Sequence, residues 1–227
     1  MDERGRAVMG ERGAAFFDMD MTLLGVNSAK LWAMYLWRTG EMGAWDMARS
    51  MVWLARYKLA IVDMARVSEE AVGQLAGRPE ARMQEQVRGW YEAEVRQHLL
   101  PTVVARLKEH QVRGEETVLL TASSPYITSL VAEELGMTDF ICTRFEVADG
   151  LFTGRLDGPM CYGEGKVVLA RRWAQARGVA LERSSFYSDS YTDLPMLQAV
   201  GQPVAVNPDP RLARHARRSG WPVMSVA

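Results

Sequence analysis

Ala14-Ala15-Phe16-Phe17-Asp18-Met19-Asp20-Met21-Thr22 decides how the rest of the chain is read. Four apolar residues in a row predict a strand buried on both faces. Two carboxylates follow, two positions apart, where that strand should end. Strand residues alternate faces, so Asp18 and Asp20 share a side wherever the extended geometry persists. In an open α/β sheet that end faces the ligand crevice. Two close carboxylates repel unless a cation or a proton sits between them. The pair therefore suggests a divalent metal, or a nucleophilic Asp beside an acid/base Asp. Short acidic pairs at strand ends also serve simply as turn residues or helix caps.

The bulk composition sets limits. The chain has 227 residues, enough for one large domain or a core domain with a smaller insertion. Apolar residues make up 48% and charged residues 24%, which supports a substantial core. A net charge of −1 gives no basic field to attract nucleic acid. Two cysteines, Cys142 and Cys161, are too few for a disulfide framework and read as buried thiols in a reducing, cytoplasmic setting. Residues 1–13 are charged, lack an apolar core and read as a frayed end, not a secretory signal. His98, His110 and His215 are too scattered for a metal site and read as surface or structural residues. Arg211, Arg214, Arg217 and Arg218 read as a solvated helix face.

From about residue 28 to residue 98 the pattern is almost wholly helical, broken at Gly40, Gly43, Gly77 and Pro79. Within it, residues 47–65 are rich in Trp, Met and branched apolar residues, with Ala48, Val52, Ala55, Leu59 and Val62 at helical spacing. Charges interrupt the run, so it does not span a bilayer. It reads as a packed helix, with peripheral lipid contact as the alternative. Beyond residue 100 the pattern changes to alternating helices and strands. Strands are expected at residues 117–121, 140–143, 185–188 and 204–206, and helices at 102–110, 125–135, 166–177, 192–200 and 211–218. A hairpin is expected over 145–156, turning at Asp149-Gly150. Such alternation predicts an α/β fold: a doubly wound, mainly parallel sheet that includes the first strand. The helical block then lies above the strand ends as a cap.

Four signals fall in order at strand ends or helix starts: Asp18-x-Asp20-x-Thr22, Thr121 with Ala122-Ser123, Lys166 after Gly163 and Gly165, and Asp189 with Asp193. A nucleophilic carboxylate, a hydroxyl, a cation and further acids at one crevice suit phosphoryl transfer.

This ordered set resembles the haloacid dehalogenase (HAD) superfamily, subfamily IB, in its phosphoserine-phosphatase-like branch. The tail around Asn207-Pro208-Asp209 and Gly220-Trp221-Pro222 is similar too. The resemblance implies a Rossmann-like core formed by residues 1–26 and 99–227, and an all-helical cap of the C1 type at 27–98. It implies Asp18 as nucleophile and Asp20 as acid and base. It implies Mg²⁺ held by Asp18, the Asp20 carbonyl and Asp189, with Asp193 supporting the metal and Lys166. Thr121 and Lys166 would meet the phosphate, with Thr22, Ala122, Ser123 and Asn27 also on the substrate side. Helix N-termini following Asp18 and Thr121 would add donors for an anion.

Phosphoserine phosphatases carry an acid nine positions after the nucleophile, where this chain has Asn27. A cap acid such as Asp46, Asp63 or Glu69 is the candidate replacement. The fourth motif reads Ser188-Asp189-Ser190-Tyr191-Thr192-Asp193 in place of Gly-Asp-Gly-x-Asn-Asp. The cap holds Trp32, Trp37, Trp45, Trp53, Met34, Met42, Met47 and Met51. Any of these facing the crevice favours an apolar or aromatic leaving group, as in histidinol phosphate or a lipid phosphate. The expected function is Mg²⁺-dependent hydrolysis of a small phosphate monoester by a monomer or homodimer. The alternatives are transfer to an alcohol and a catalytically silent binding module.

Overall fold

The computed structural model describes residues 12–43 and 64–226. Strand β1 (Ala14–Phe17) is buried at all four positions. It pairs in parallel with β2 (Glu116–Leu120) on one side and β6 (Ser185–Ser188) on the other. β3 (Asp139–Ile141) continues the sheet beyond β2. β7 (Gln202–Val206) and β8 (Val223–Met224) continue it beyond β6. The order is β3-β2-β1-β6-β7-β8, every pairing is parallel, and the architecture is Rossmann-like. The chain winds outward from β1 in one direction and then from β6 in the other. The reversal falls between β1 and β6, which is where an open α/β sheet forms its ligand crevice.

Alternation along β1 builds two cores. Ala15 and Phe17 join one hydrophobic cluster with Val103 and Leu107 of helix α4 (Pro101–Val112) and Ile127 and Val131 of α5 (Pro125–Glu134). Ala14 and Phe16 join the other, with α6 (Glu164–Arg177), α7 (Leu194–Ala199) and α8 (Pro210–Ser219). Helices therefore cover both faces, as the unbroken apolar run required.

Between β1 and α4 the described residues form α1 (Ser28–Arg38), α2 (Met64–Gly73), α3 (Glu80–Trp90) and a π-helical turn at Tyr91–Val95. The two chain segments that enter and leave this stretch pair with each other. Gly25 N–H donates to the His98 carbonyl, and Leu100 N–H to the Leu23 carbonyl, both at 2.8 Å. The hairpin of β4 (Phe145–Ala148) and β5 (Leu151–Leu156) forms as expected. Its unforeseen partner is the segment 77–80: Gly77 N–H donates to the Phe152 carbonyl and Phe152 N–H to the Arg78 carbonyl.

Three local expectations are corrected. The extended geometry does not persist beyond Phe17. Residues 18–24 turn back on themselves, with Leu24 N–H donating to the Met19 carbonyl at 2.8 Å and Met21 at φ 58°. No helix N-terminus directly follows Asp18, since α1 begins only at Ser28. The helix expected over 192–200 is a 3₁₀ turn at Tyr191–Asp193 running into the shorter α7. Cys142 and Cys161 are buried and unpaired. No helix of the described residues is long and apolar enough to cross a membrane. Residues 47–63, with Trp45 and Asp46, lie outside the described residues, and so does the lipid-contact alternative placed on them.

Candidate active site

The adjacent ends of β1 and β6 bring the first and fourth motifs together. Asp18 N–H donates to the Tyr187 carbonyl at 2.9 Å, which locks the two strand exits side by side. Thr22 then reaches across. Its Oγ1 accepts from Asp189 N–H at 3.1 Å and donates to Asp189 Oδ1 at 3.4 Å. Thr22 is fully buried and its hydroxyl is spent on Asp189, so it orients that carboxylate.

Lys166 arrives from the other side of the sheet. Gly163, at φ 51°, turns the chain into α6. At Gly165 a Cβ would lie 2.0 Å from the Met160 carbonyl oxygen, so only glycine fits directly before the lysine. Lys166 is 2% exposed, and its Nζ donates to Asp18 Oδ1 and to Asp193 Oδ2, each at 2.7 Å. Ser188 Oγ donates to the same Asp193 oxygen at 2.7 Å. Burial works to strip the proton from Lys166, but Asp18 and Asp193 outweigh it and hold the ammonium charged. A buried ammonium between two carboxylates is a costly arrangement kept together by complete pairing.

Asp20 points elsewhere. Both its oxygens are held by Ser28, the first residue of α1: the backbone N–H donates to Oδ1 at 3.1 Å and the hydroxyl to Oδ2 at 3.0 Å. Burial pushes Asp20 up to about 6, against the pull of those two hydrogen bonds. Thr121 ends β2. It is buried, its N–H donates to the Ile141 carbonyl at 3.0 Å, and its Oγ1 accepts from Ser123 N–H at 3.3 Å. Ala122 and Ser123 are half-buried in the same turn, and Ser123 Oγ lies 3.4 Å from Ser28 Oγ. The N-terminus of α5 begins at Pro125, beyond that turn.

The structure thus joins Asp18, Lys166, Asp193 and Asp189 at the switch point, and joins Asp20 to the Thr121–Ser123 turn through Ser28. Asn27 caps a helix. Its Oδ1 caps α1 by accepting from Lys30 N–H at 2.9 Å, and its Nδ2 lies 3.5 Å from Asp20 Oδ2. Ser28 and Ser188 were given no role from sequence, although Ser188 stands in the fourth motif. Their only signal is position: each directly adjoins a residue that was given one, Asn27 and Asp189.

The donor set suits a hard divalent cation. Asp18, Asp189 and Asp193 gather around one lysine, leaving an excess of negative charge in a buried space. Burial, with Asp18 and Asp193 close by, pushes Asp189 up to about 8. Burial likewise raises Asp18, against the attraction of Lys166. Those shifts are the electrostatic cost that a bound cation offsets. All available donors are oxygens, as Mg²⁺ requires. Among the described residues no group of three or more His, Cys, Asp or Glu side chains is placed to hold a metal ion. A site of two carboxylates and one backbone carbonyl needs no such group.

His110 is buried, with its ring nitrogens on the Tyr187 hydroxyl at 2.8 Å and Glu115 at 2.7 Å. His215 packs edge-on against Trp221, and His98 is half-buried. Arg211, Arg214, Arg217 and Arg218 are exposed on α8.

Comparison with known proteins agrees with this geometry. A haloacid dehalogenase-like hydrolase family model matches residues 15–198. The chain is 31% identical over 219 residues to a histidinol-phosphatase of Neisseria meningitidis serogroup C (strain 8013), covering 94% of this chain and 99% of that protein. It is 33% identical over 214 residues to phosphoserine phosphatase SerB1 of Mycobacterium tuberculosis (strain ATCC 25618 / H37Rv), covering 92% and 70%. A crystal structure of a protein of unknown function from Bordetella pertussis Tohama I superposes with a TM-score of 0.87 at 34% identity, covering 94% and 98%. The ordered motifs, the strand order and these matches agree, and the chain belongs to the haloacid dehalogenase-like hydrolases, in their phosphoserine-phosphatase-like branch.

Proposed function

We propose that this hydrolase is a Mg²⁺-dependent phosphatase that cleaves a small phosphate monoester through an aspartyl-phosphate on Asp18. The observation that carries this reading is the Lys166 ammonium, 2.7 Å from both Asp18 and Asp193 at the strand switch point. Asp18 attacks phosphorus, the bond to the leaving oxygen breaks, and that oxygen takes a proton from Asp20. A water then gives its proton to Asp20 and attacks phosphorus. The bond to Asp18 breaks and inorganic phosphate leaves. Lys166 offsets charge on Asp18 and on the phosphoryl oxygens, and Thr121 with the Ala122-Ser123 turn meets those oxygens.

Asp18, Asp189 and the Asp20 carbonyl would hold the metal. When bound, Mg²⁺ lets an anionic nucleophile approach an anionic phosphate. Residues 1–26 and 99–227 form the core in this reading, and residues 27–98 form a helical cap that closes over the crevice. The mutual pairing of 23–25 with 98–100 supports a boundary there. Histidinol phosphate and phosphoserine are the first two substrates to test, from the names of two relatives.

The experiment is phosphate release from a panel of monoesters with Mg²⁺, repeated with a chelator. Turnover that the chelator abolishes and Mg²⁺ restores supports the reading. Chelator-resistant turnover removes the metal, and silence across the panel removes the catalytic assignment. Added alcohols test transfer: a phosphorylated acceptor in place of free phosphate replaces hydrolysis with phosphotransfer.

A further inference from the structure

Ser28 joins Asp20 to the Thr121–Ser123 turn. It is 3% exposed and opens α1. It places one donor on each oxygen of Asp20, N–H on Oδ1 and O–H on Oδ2. A carboxyl held at both oxygens by a single residue cannot rotate about its Cβ–Cγ bond without losing one of the two bonds. The Ser28 proton is committed to Asp20, so the 3.4 Å contact with Ser123 is made by the Ser123 hydroxyl donating to Ser28 Oγ. Ser123 stands in the turn whose Thr121 Oγ1 holds the Ser123 N–H at 3.3 Å. A hydroxyl chain therefore runs from that turn to the acid. Asn27, at 3.5 Å from Oδ2, adds little to this hold.

We infer that Ser28 is a positioning residue for proton transfer: it fixes the plane of the Asp20 carboxyl and ties it to the turn that receives the phosphate. This rests on the phosphatase reading above and on Asp20 as its proton donor. A donor held in plane gains most where the leaving oxygen is a poor leaving group, because only then does the proton decide the barrier. An alkoxide needs that proton, whereas a dinitrophenolate departs without it. The chain's own residues also explain why α1 must start where it does. The Asn27 cap sets the helix, and the helix sets Ser28.

The experiment compares kcat/KM for an alkyl phosphate and for 2,4-dinitrophenyl phosphate, because kcat/KM reports only the steps up to phosphoenzyme formation. In Ser28→Ala the alkyl-to-aryl ratio falls by about tenfold relative to wild type. Ser28→Thr, which keeps the hydroxyl, restores most of it. Equal losses on both esters in a variant that melts like wild type overturn the inference. So does a Ser28→Thr ratio as low as that of Ser28→Ala. A wild-type enzyme that releases phosphate from neither ester is a separate failure and strikes the phosphatase reading itself. If Ser28→Ala does not fold, Ser28→Cys keeps the shape and loses the strong donor. A Ser28→Cys ratio equal to wild type then overturns the role.

Discussion

The strand ends and the helices that precede α4 are built to different standards. At the strand ends every described charged group is committed. Lys166 holds two carboxylates, Ser188 returns to Asp193, and Thr22 holds Asp189. On the helices the side chains are looser. Trp37 and Met34 of α1 are exposed, and Trp32 is half-buried where it stacks on Tyr35 and meets Trp90 edge-on. Among the described residues Trp90 Nε1 and Gln86 Nε2 are buried without a hydrogen-bond partner. A site that must do one reaction admits one arrangement of charge, because each unpaired buried ion costs several kcal/mol. A surface that must fit a leaving group tolerates many apolar arrangements, each differing by about 1–3 kcal/mol per contact. The contrast fits the proposed function, in which the strand ends would carry the chemistry and the helices would read the leaving group.

The comparison is broken most decisively at Asp18. Asp18→Asn should lower turnover on a generic aryl phosphate by at least about a thousandfold while the melting temperature stays near wild type. Near-normal turnover would move the nucleophile elsewhere. Lys166→Met should cost about a hundredfold or more in kcat, because it leaves Asp18 and Asp193 facing each other without their shared cation. Steady-state kinetics on the folded variant check it, and a loss confined to KM would make Lys166 a binding group only.

A smaller effect is expected on α1. Trp32→Ala should change kcat/KM for aromatic against aliphatic phosphate esters by up to about tenfold, with little change for the smallest ester. A uniform fall across all esters would place Trp32 with the catalytic machinery and erase the division between strand ends and helices.

The smallest effect lies at the far end of the sheet. Glu115 is held below its ordinary carboxylate range: burial works to raise it, but hydrogen bonds from Arg113 and His110 prevail. A carboxylate lowered on folding stabilises the native state above its unfolded pKa. That contribution is lost as pH falls through the folded value. Melting curves between pH 7 and about pH 3 should therefore show wild type losing slightly more stability than Glu115→Gln, with identical turnover at pH 7. Altered turnover would couple this end of the sheet to the chemistry.

Much of the fold was legible because its signals are local. The run at residues 14–17 required burial on both faces, and helix stops such as Gly178, at φ 66°, read directly as glycine ends. The Asp149-Gly150 turn set the hairpin. The site was legible as an ordered list of residue types. What each polar group does was not. Thr22 was placed on the substrate and is found on Asp189. Asn27 was placed on the substrate side, and its capping of α1 through Oδ1 was not foreseen. A short polar side chain bonds whatever lies within about 3 Å, and sequence carries no distances.

The sequence by itself determined that strands and helices alternate beyond residue 100, that a helical stretch separates them from the first strand, and that acids, a hydroxyl and a lysine fall at strand ends or helix starts. Periodicity and turn chemistry depend on neighbours along the chain, so they can be read there. Only the tertiary structure decided that Lys166 bridges Asp18 and Asp193, that Ser28 grips both oxygens of Asp20, and that segment 77–80 pairs with the hairpin. Those contacts join residues far apart in the chain, and the packing of helices on the sheet sets their distances.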